Sequence, residues 1–424
     1  MTEKLLQYIW KLQYFNRSDL HTTNGEPLQI LNPGQLNQNQ GPDFLQCCIK
    51  MGGTTWVGNI EIHTRSSQWN SHKHNEDKNY SNVILHVVWQ NDTGIFTPDE
   101  IPLLTLHDRV PKILLEKYQE LMHNTAFVPC QNSVHTVHSL VWTAWKERLA
   151  VERLERKATG IRKLLQETNN HWEEVFWWML ARNFGITVNS EAFEAVARST
   201  SINILAKHKN QIHQLECLLF GQAGMLQGKF TEPYPHMLAR EYNFLQKKYR
   251  LTPVSYPMHF LRMRPQNFPT IRLAQLAQLI HQSTHLFSKI KETVNLNEVK
   301  KLLQVTANDY WHYHYKFDEV SSFQQKTLGK QMIDNIAINT AIPVIFAYGY
   351  VMGEEKYTRK ALLWLQETAA EDNALTRKWQ QLGIKSASGF DSQALTELTK
   401  EYCTYKNCLS CAVGTAILKK AKNN

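Results

Sequence analysis

The chain has 424 residues, 42% of them apolar and 20% charged, which excludes a disordered or fibrous protein and leaves room for two or three domains. Its net charge of +9 is uneven: residues 1–130 carry 10 Lys and Arg against 13 Asp and Glu, a balance of −3, and the remainder carries 37 against 25, a balance of +12. An acidic first part suits a metal ion, and a basic remainder suits either a polyanion or a solvated helical surface. No stretch reads as the roughly 18 apolar residues of a membrane span. Met1 to Trp10 lacks the basic, apolar and cleavage regions of a signal peptide. The expectation is a cytoplasmic protein without membrane contact. Its seven cysteines are then free or metal-bound rather than paired.

In chain order, Leu5, Ile9, Leu12 and Phe15 recur at helical spacing and predict a helix over 3–15. Turn chemistry follows at Asn24-Gly25 and Asn32-Pro33-Gly34, with a short strand over Leu28–Leu31 between them and a loop over Gln35–Gln40. Strands are predicted at Phe44–Met51, Thr55–His63, Val83–Gln90 and Leu103–Leu106, the first two joined by a Gly52-Gly53 hairpin turn. The polar stretch Ser66–Tyr80 reads as a short helix or an ordered loop. From about Leu140 the pattern is helical, at His171–Phe184, Ser190–Ala197, Ile212–Leu226, Ile271–Ile280, Glu298–Val305, Gly329–Tyr348, Tyr357–Glu367 and Ser392–Tyr402. The proline-bearing stretch Tyr234–Pro269 is expected to interrupt it. Trp142, Trp145, Trp172, Trp177 and Trp178 are expected to fill a helical core, while Lys157, Arg162, Lys163 and Lys300-Lys301 read as solvated helix faces. The fold class is α+β (α/β-like): a mixed-sheet core over 1–135, then a larger all-helical domain over 136–424.

The chemistry concentrates between residues 41 and 86. Asp43 enters one strand, and Glu61, His63 and Arg65 share one face of the next, because strand residues two apart point the same way. Two carboxylates on neighbouring strands are suited to Mg²⁺ or Mn²⁺, which prefer oxygen ligands and leave room for water and phosphate. In this reading Asp43 and Glu61 hold the ion, His63 with Arg65 orients water or balances charge, and His86 is a supporting ligand or base. His72, His74 and Asp77 follow closely, and His86 interrupts an otherwise apolar strand, where a polar group needs a partner. These four form an alternative transition-metal site, without the spacing of HExxH or a zinc finger. Taken singly, Asp43 also reads as turn chemistry after Pro42, Glu61 as a surface ion pair, and His86 as a satisfied core histidine.

Several motifs resemble the bacterial DUF2851 family: Leu6-Gln7-Tyr8-Ile9-Trp10, Gly41-Pro42-Asp43-Phe44, Gly58-Asn59-Ile60-Glu61-Ile62-His63, His72-x-His74-x-x-Asp77-x-x-Tyr80, and Arg264-Pro265-x-Asn267-Phe268-Pro269. That resemblance implies no established activity. The first part also resembles the PD-(D/E)xK nuclease superfamily. Pro42-Asp43 fits its first element and Glu61-x-His63 its second, with histidine in place of the lysine that normally orients water. The resemblance implies a restriction-endonuclease-like core, a DNA or RNA substrate, and an acid from the first helix, for which Glu3 and Glu26 are available. The departure at His63 leaves open a non-catalytic nucleic-acid-binding or scaffold protein that keeps the fold.

Two further features lie outside that core. Arg262, Arg264 and Arg272 flank a proline- and aromatic-bearing segment and are candidates for phosphate contact. Cys403-x4-Cys408-x2-Cys411 suits Zn²⁺ or an iron–sulfur cluster, either of which needs a fourth ligand from Cys130, Cys217, Cys47, Cys48 or a histidine. The plain alternative is three ordinary thiols at a helix start.

Overall fold

The computed structural model describes residues 1–93, 101–283 and 285–420. The chain divides into two compact units, one formed by Met1–Trp145 with Leu398–Asn424, the other by Lys146–Glu397. The fold is α+β, with the mixed sheet in the first unit and helices filling the second. Composition alone places 136–424 in one helical domain; in the structure the cysteine-bearing end belongs to the sheet unit.

Helix α1 (Glu3–Leu12) opens on Thr2, whose side chain accepts the Leu5 amide, and closes on Gln13 in the left-handed conformation. Leu5, Leu6, Ile9 and Trp10 bury one face of it. Strands β1 (Leu28–Asn32), β2 (Gln35–Leu36), β3 (Phe44–Met51), β4 (Thr54–Arg65), β5 (Val83–Gln90) and β6 (Leu103–Thr105) form one sheet in the order β1-β3-β4-β5-β6, with β2 also on β3. The pair Gln35–Leu36 is thus a strand where a loop is expected. β3 runs antiparallel to β1 and β4, and its hairpin with β4 turns at Gly52 and Gly53, whose φ of +54° and +89° suit a primed two-residue turn. A bulge between Phe44 and Cys47, with Gln46 at φ +56°, bends the start of β3 just after Asp43.

β4 and β5 are parallel, and so are β5 and β6. A parallel pair requires a crossover. Between β4 and β5 it is made by helix α2 (Gln68–Ser71) and two short 3-10 turns, and this crossover carries Trp69, His72, His74 and Tyr80. β5 is buried almost throughout, which explains the apolar residues on both sides of His86. Gly58 lies where β4 meets the entrance to β5: a Cβ there would run into Ile84 and Asn82.

The unit boundary falls inside the 29-residue helix Ser139–Glu167. In the second unit the proline-bearing stretch is not an interruption throughout. Pro233 occupies the first turn of a 17-residue helix, Pro233–Tyr249, where its missing N–H costs nothing. The predicted helix over 329–348 is two α-helices, Lys330–Ile336 and Ile342–Met352, joined by a π turn at Ala337–Ala341. Together, Lys330–Met352 is long and apolar enough to cross a membrane by length and composition alone, and 67% of its apolar window is buried. Lys157 is not solvated either: its Nζ donates to Asn339 and Gln393 at 3.1 and 3.2 Å.

Candidate metal centre

β4 and the crossover after it bring three imidazole nitrogens together, with the Glu61 carboxylate beside two of them. His63 Nε2 lies 3.2 Å from His72 Nδ1, 3.4 Å from His74 Nε2 and 3.5 Å from Glu61 Oε1. His74 Nε2 is also 3.5 Å from Glu61 Oε1. The ligand atoms of His63, His72 and His74 all lie within 4.8 Å of one another. The other ring nitrogen of His63, Nδ1, meets His86 Nε2 at 2.9 Å. His63, His74, His86 and Glu61 are buried, and His72 is exposed.

A single ring nitrogen facing three electron-rich atoms can share only one proton among them, so ordinary hydrogen bonding leaves this group under-satisfied. The electrostatics agree. Burial first, then His86, His74 and His72, push His63 down to about 3. Burial and His74 push His86 down to about 3, and burial chiefly lowers His74. Burial, reinforced by Asp43, pushes Glu61 up to about 8. At neutral pH His63, His74 and His86 are therefore neutral, with lone pairs available, and Glu61 holds its proton until a cation displaces it.

Asp43 sits beside this point rather than in it. Its Oδ2 accepts the Ile62 amide at 3.1 Å and its Oδ1 accepts Gln7 Nε2 at 2.8 Å, while its own amide donates to Glu61 Oε2 at 3.0 Å. Burial raises its carboxyl to about 6, with Glu3 adding repulsion. Glu3 and Gln7 lie one turn apart on α1, and Gln7 also reaches Glu3 at 3.4 Å. Of the two acids that the sequence offers, Glu3 is the one near Asp43; no contact of Glu26 with the cluster is seen among the described residues. An aromatic wall completes the site: Tyr80 stacks on His74 at 3.9 Å between centroids, and Trp69 lies against His74 and His86 at 5.2 and 5.1 Å.

A model of a family described as protein of unknown function, DUF2851, matches residues 3–374. The chain belongs to the DUF2851 family. The matched span contains the whole histidine–carboxylate cluster and ends before the C-terminal cysteines. No curated protein and no solved structure matches the chain.

Other candidate residues of this DUF2851 chain lie elsewhere. Arg65 is exposed at the end of β4, and its amide donates to Gln68 Oε1. Asp77 caps a 3-10 turn by accepting the Asn79 amide. Arg272 is buried in the second unit, its guanidinium donating to Asn267 and Gln275, which leaves it inside the fold and not facing a phosphate; Arg262 and Arg264 are exposed. Gln7, Trp69 and Tyr80 are not singled out by the sequence as site residues.

His86 orients His63 from behind, and such partners are worth about 10–100-fold in metal affinity. His86→Phe is expected to weaken Zn²⁺ binding by that factor in calorimetric titration, and unchanged affinity would remove His86 from the centre. Because Glu61 must give up a proton to bind a cation, affinity is expected to climb as pH rises from 6 through about 8. A flat profile over that range would contradict the assignment.

Proposed function

We propose that the first unit is a metal-dependent hydrolase of phosphodiester bonds, with DNA or RNA as substrate, working in the cytoplasm. The observation that carries this reading is the convergence of Glu61, His63, His72 and His74 beside the buried carboxyl of Asp43. Glu61 Oε1 and the three imidazole nitrogens would hold the ion. An imidazole-rich set with one carboxylate suits Zn²⁺ or Fe²⁺ better than Mg²⁺, which prefers oxygen ligands. A Mn²⁺ or Mg²⁺ site built on Asp43 and Glu61 alone has less support, since the donor atoms within 4.8 Å of one another are imidazole nitrogens and Asp43 lies beside them.

When bound, the ion supplies Lewis acidity toward water and a phosphate oxygen. The chain's own residues do the rest. Asp43, raised toward neutrality, is placed to accept a proton from an attacking water. Gln7 and the Ile62 amide fix its orientation. His86 fixes the tautomer of His63. Support for the substrate class comes from the mixed sheet, with Asp43 at the start of β3 and Glu61-x-His63 on antiparallel β4, as in the PD-(D/E)xK resemblance, and from the basic balance of the whole chain.

The test is cleavage of labelled single- and double-stranded DNA and RNA by the full chain with Zn²⁺, Mn²⁺, Fe²⁺ or Mg²⁺. Cleavage with a transition metal, abolished by Asp43→Asn, supports the reading. Metal binding without cleavage of any substrate moves the protein to the non-catalytic nucleic-acid-binding reading, for which exposed Arg262 and Arg264 are the contacts to test.

A further inference from the structure

The four cysteines Cys130, Cys403, Cys408 and Cys411 come together in the first unit, although Cys130 is remote from the other three in sequence. They line one small cavity of about 10 Å³, closed by Pro129, Leu398, Tyr402, Asn407, Val413 and Gly414. Cys130, Cys408 and Cys411 are buried, and all four are free thiols. The backbone is shaped around them. Helix Lys112–His123 is followed by a loop in which Asn124 Nδ2 holds the Pro129 carbonyl at 2.9 Å, next to Cys130. A π turn at Leu398–Cys403 delivers the first thiol of the C-terminal motif, and Lys406, at φ +51°, turns the chain toward Cys408. Lys406 Nζ also reaches the Met122 carbonyl, tying the motif to the Cys130 side. A Cβ at Gly414 would run into the Cys408 backbone, so the approach of helix Ala412–Lys420 requires glycine there. The Val413 and Gly414 amides and the Trp145 indole donate to Cys411 sulfur, as donors do around thiolates that carry negative charge.

We propose that Cys130, Cys403, Cys408 and Cys411 ligate an iron–sulfur cluster, Cys130 being the distant fourth ligand. Four apolar-packed thiols with no disulfide between them need a reason to converge, and a closed four-thiolate metal site is one. One observation favours a cluster over a single zinc ion. The x4 and x2 spacing of Cys403, Cys408 and Cys411 is that of plant-type iron–sulfur ligands, whose remote cysteine follows the three where Cys130 precedes them. Each thiol loses its proton to solvent on binding iron, and the cluster's iron and sulfide come preassembled from a donor. The centre then clamps the C-terminal segment to the loop after helix Lys112–His123.

The experiment is anaerobic purification of the full chain from iron-supplied cells, with iron, acid-labile sulfide and zinc measured per chain and the visible absorption spectrum recorded. Two or four irons with matching sulfide and absorbance near the visible–ultraviolet border are expected. Cys130→Ser and Cys403→Ser should each lose at least half of that iron, whereas Cys217→Ser, in the second unit, should keep it. One zinc per chain without iron or sulfide, or no bound metal at all, would overturn the cluster. Full iron in a folded Cys130→Ser variant would overturn the fourth ligand. Far-ultraviolet circular dichroism reports folding, and the wild-type metal content stands whether or not a variant folds.

Discussion

Glu61→Gln is expected to lower transition-metal-dependent phosphodiester cleavage by about three orders of magnitude or more, since it removes the one anionic ligand and the charge that a cation must meet. The substitution keeps size and hydrogen-bonding capacity, so the carboxamide can still accept the Asp43 amide and the fold should persist. Glu61 is already protonated near neutrality in the metal-free chain, being pushed up to about 8. A neutral side chain at this position therefore costs little in stability and much in affinity. The measurement is a rate comparison at saturating metal with matched circular dichroism. A loss of less than about tenfold would mean that Glu61 is a structural carboxyl, held by the Asp43 amide alone.

Trp10→Ala carries the largest expected effect on stability. Trp10 is fully buried on α1, stacks on Phe15 at 5.9 Å and donates its indole N–H to the Pro33 carbonyl at 3.0 Å. Truncating a buried tryptophan costs about 3–5 kcal/mol, a large share of the roughly 5–15 kcal/mol that holds a typical domain folded. The same helix presents Glu3 and Gln7 to Asp43, so loss of its anchoring should disorganise the site as well. Denaturant unfolding of the full chain, followed in the first transition, gives the value. A loss below about 1 kcal/mol would show that α1 is not anchored through Trp10.

Much of the sheet is readable from residue order. Phe44–Met51 and Val83–Gln90 are strands over the ranges that their apolar runs predict, and Gly52-Gly53 marks the hairpin because few other residues adopt its left-handed turn. Helix Lys112–His123 is not readable: only Leu114 and Leu121 are buried on it, too few for a periodic signal. Helix Pro233–Tyr249 is hidden by its own prolines, which break a helix interior but fit its first turn. The π turn at Ala337–Ala341 leaves no trace in a sequence that reads as one continuous helix.

At the site, Glu61, His63, His72, His74 and His86 declare themselves by residue type, and the crossover between parallel strands makes them neighbours. Gln7 and Tyr80 do not, because amide and phenol side chains carry no signal until helix and crossover packing sets them against Asp43 and His74. The choice between oxygen-rich and imidazole-rich metal chemistry is also closed to the sequence. It depends on which donor atoms the fold brings together, and those of His63, His72 and His74 lie within 4.8 Å of one another. Cys130 is the same case on a larger scale: a lone cysteine acquires meaning only when the chain end returns to the sheet unit.

The most direct measurement is calorimetric titration of Zn²⁺ into the full-length protein at pH 8.5, with Cys403, Cys408 and Cys411 replaced by serine to silence the thiols, alongside the same protein carrying His74→Ala. The account predicts one equivalent of tightly bound metal in the first and binding weakened at least a hundredfold in the second. No binding in the first, or equal binding in both, would contradict a metal centre at Glu61, His63, His72 and His74.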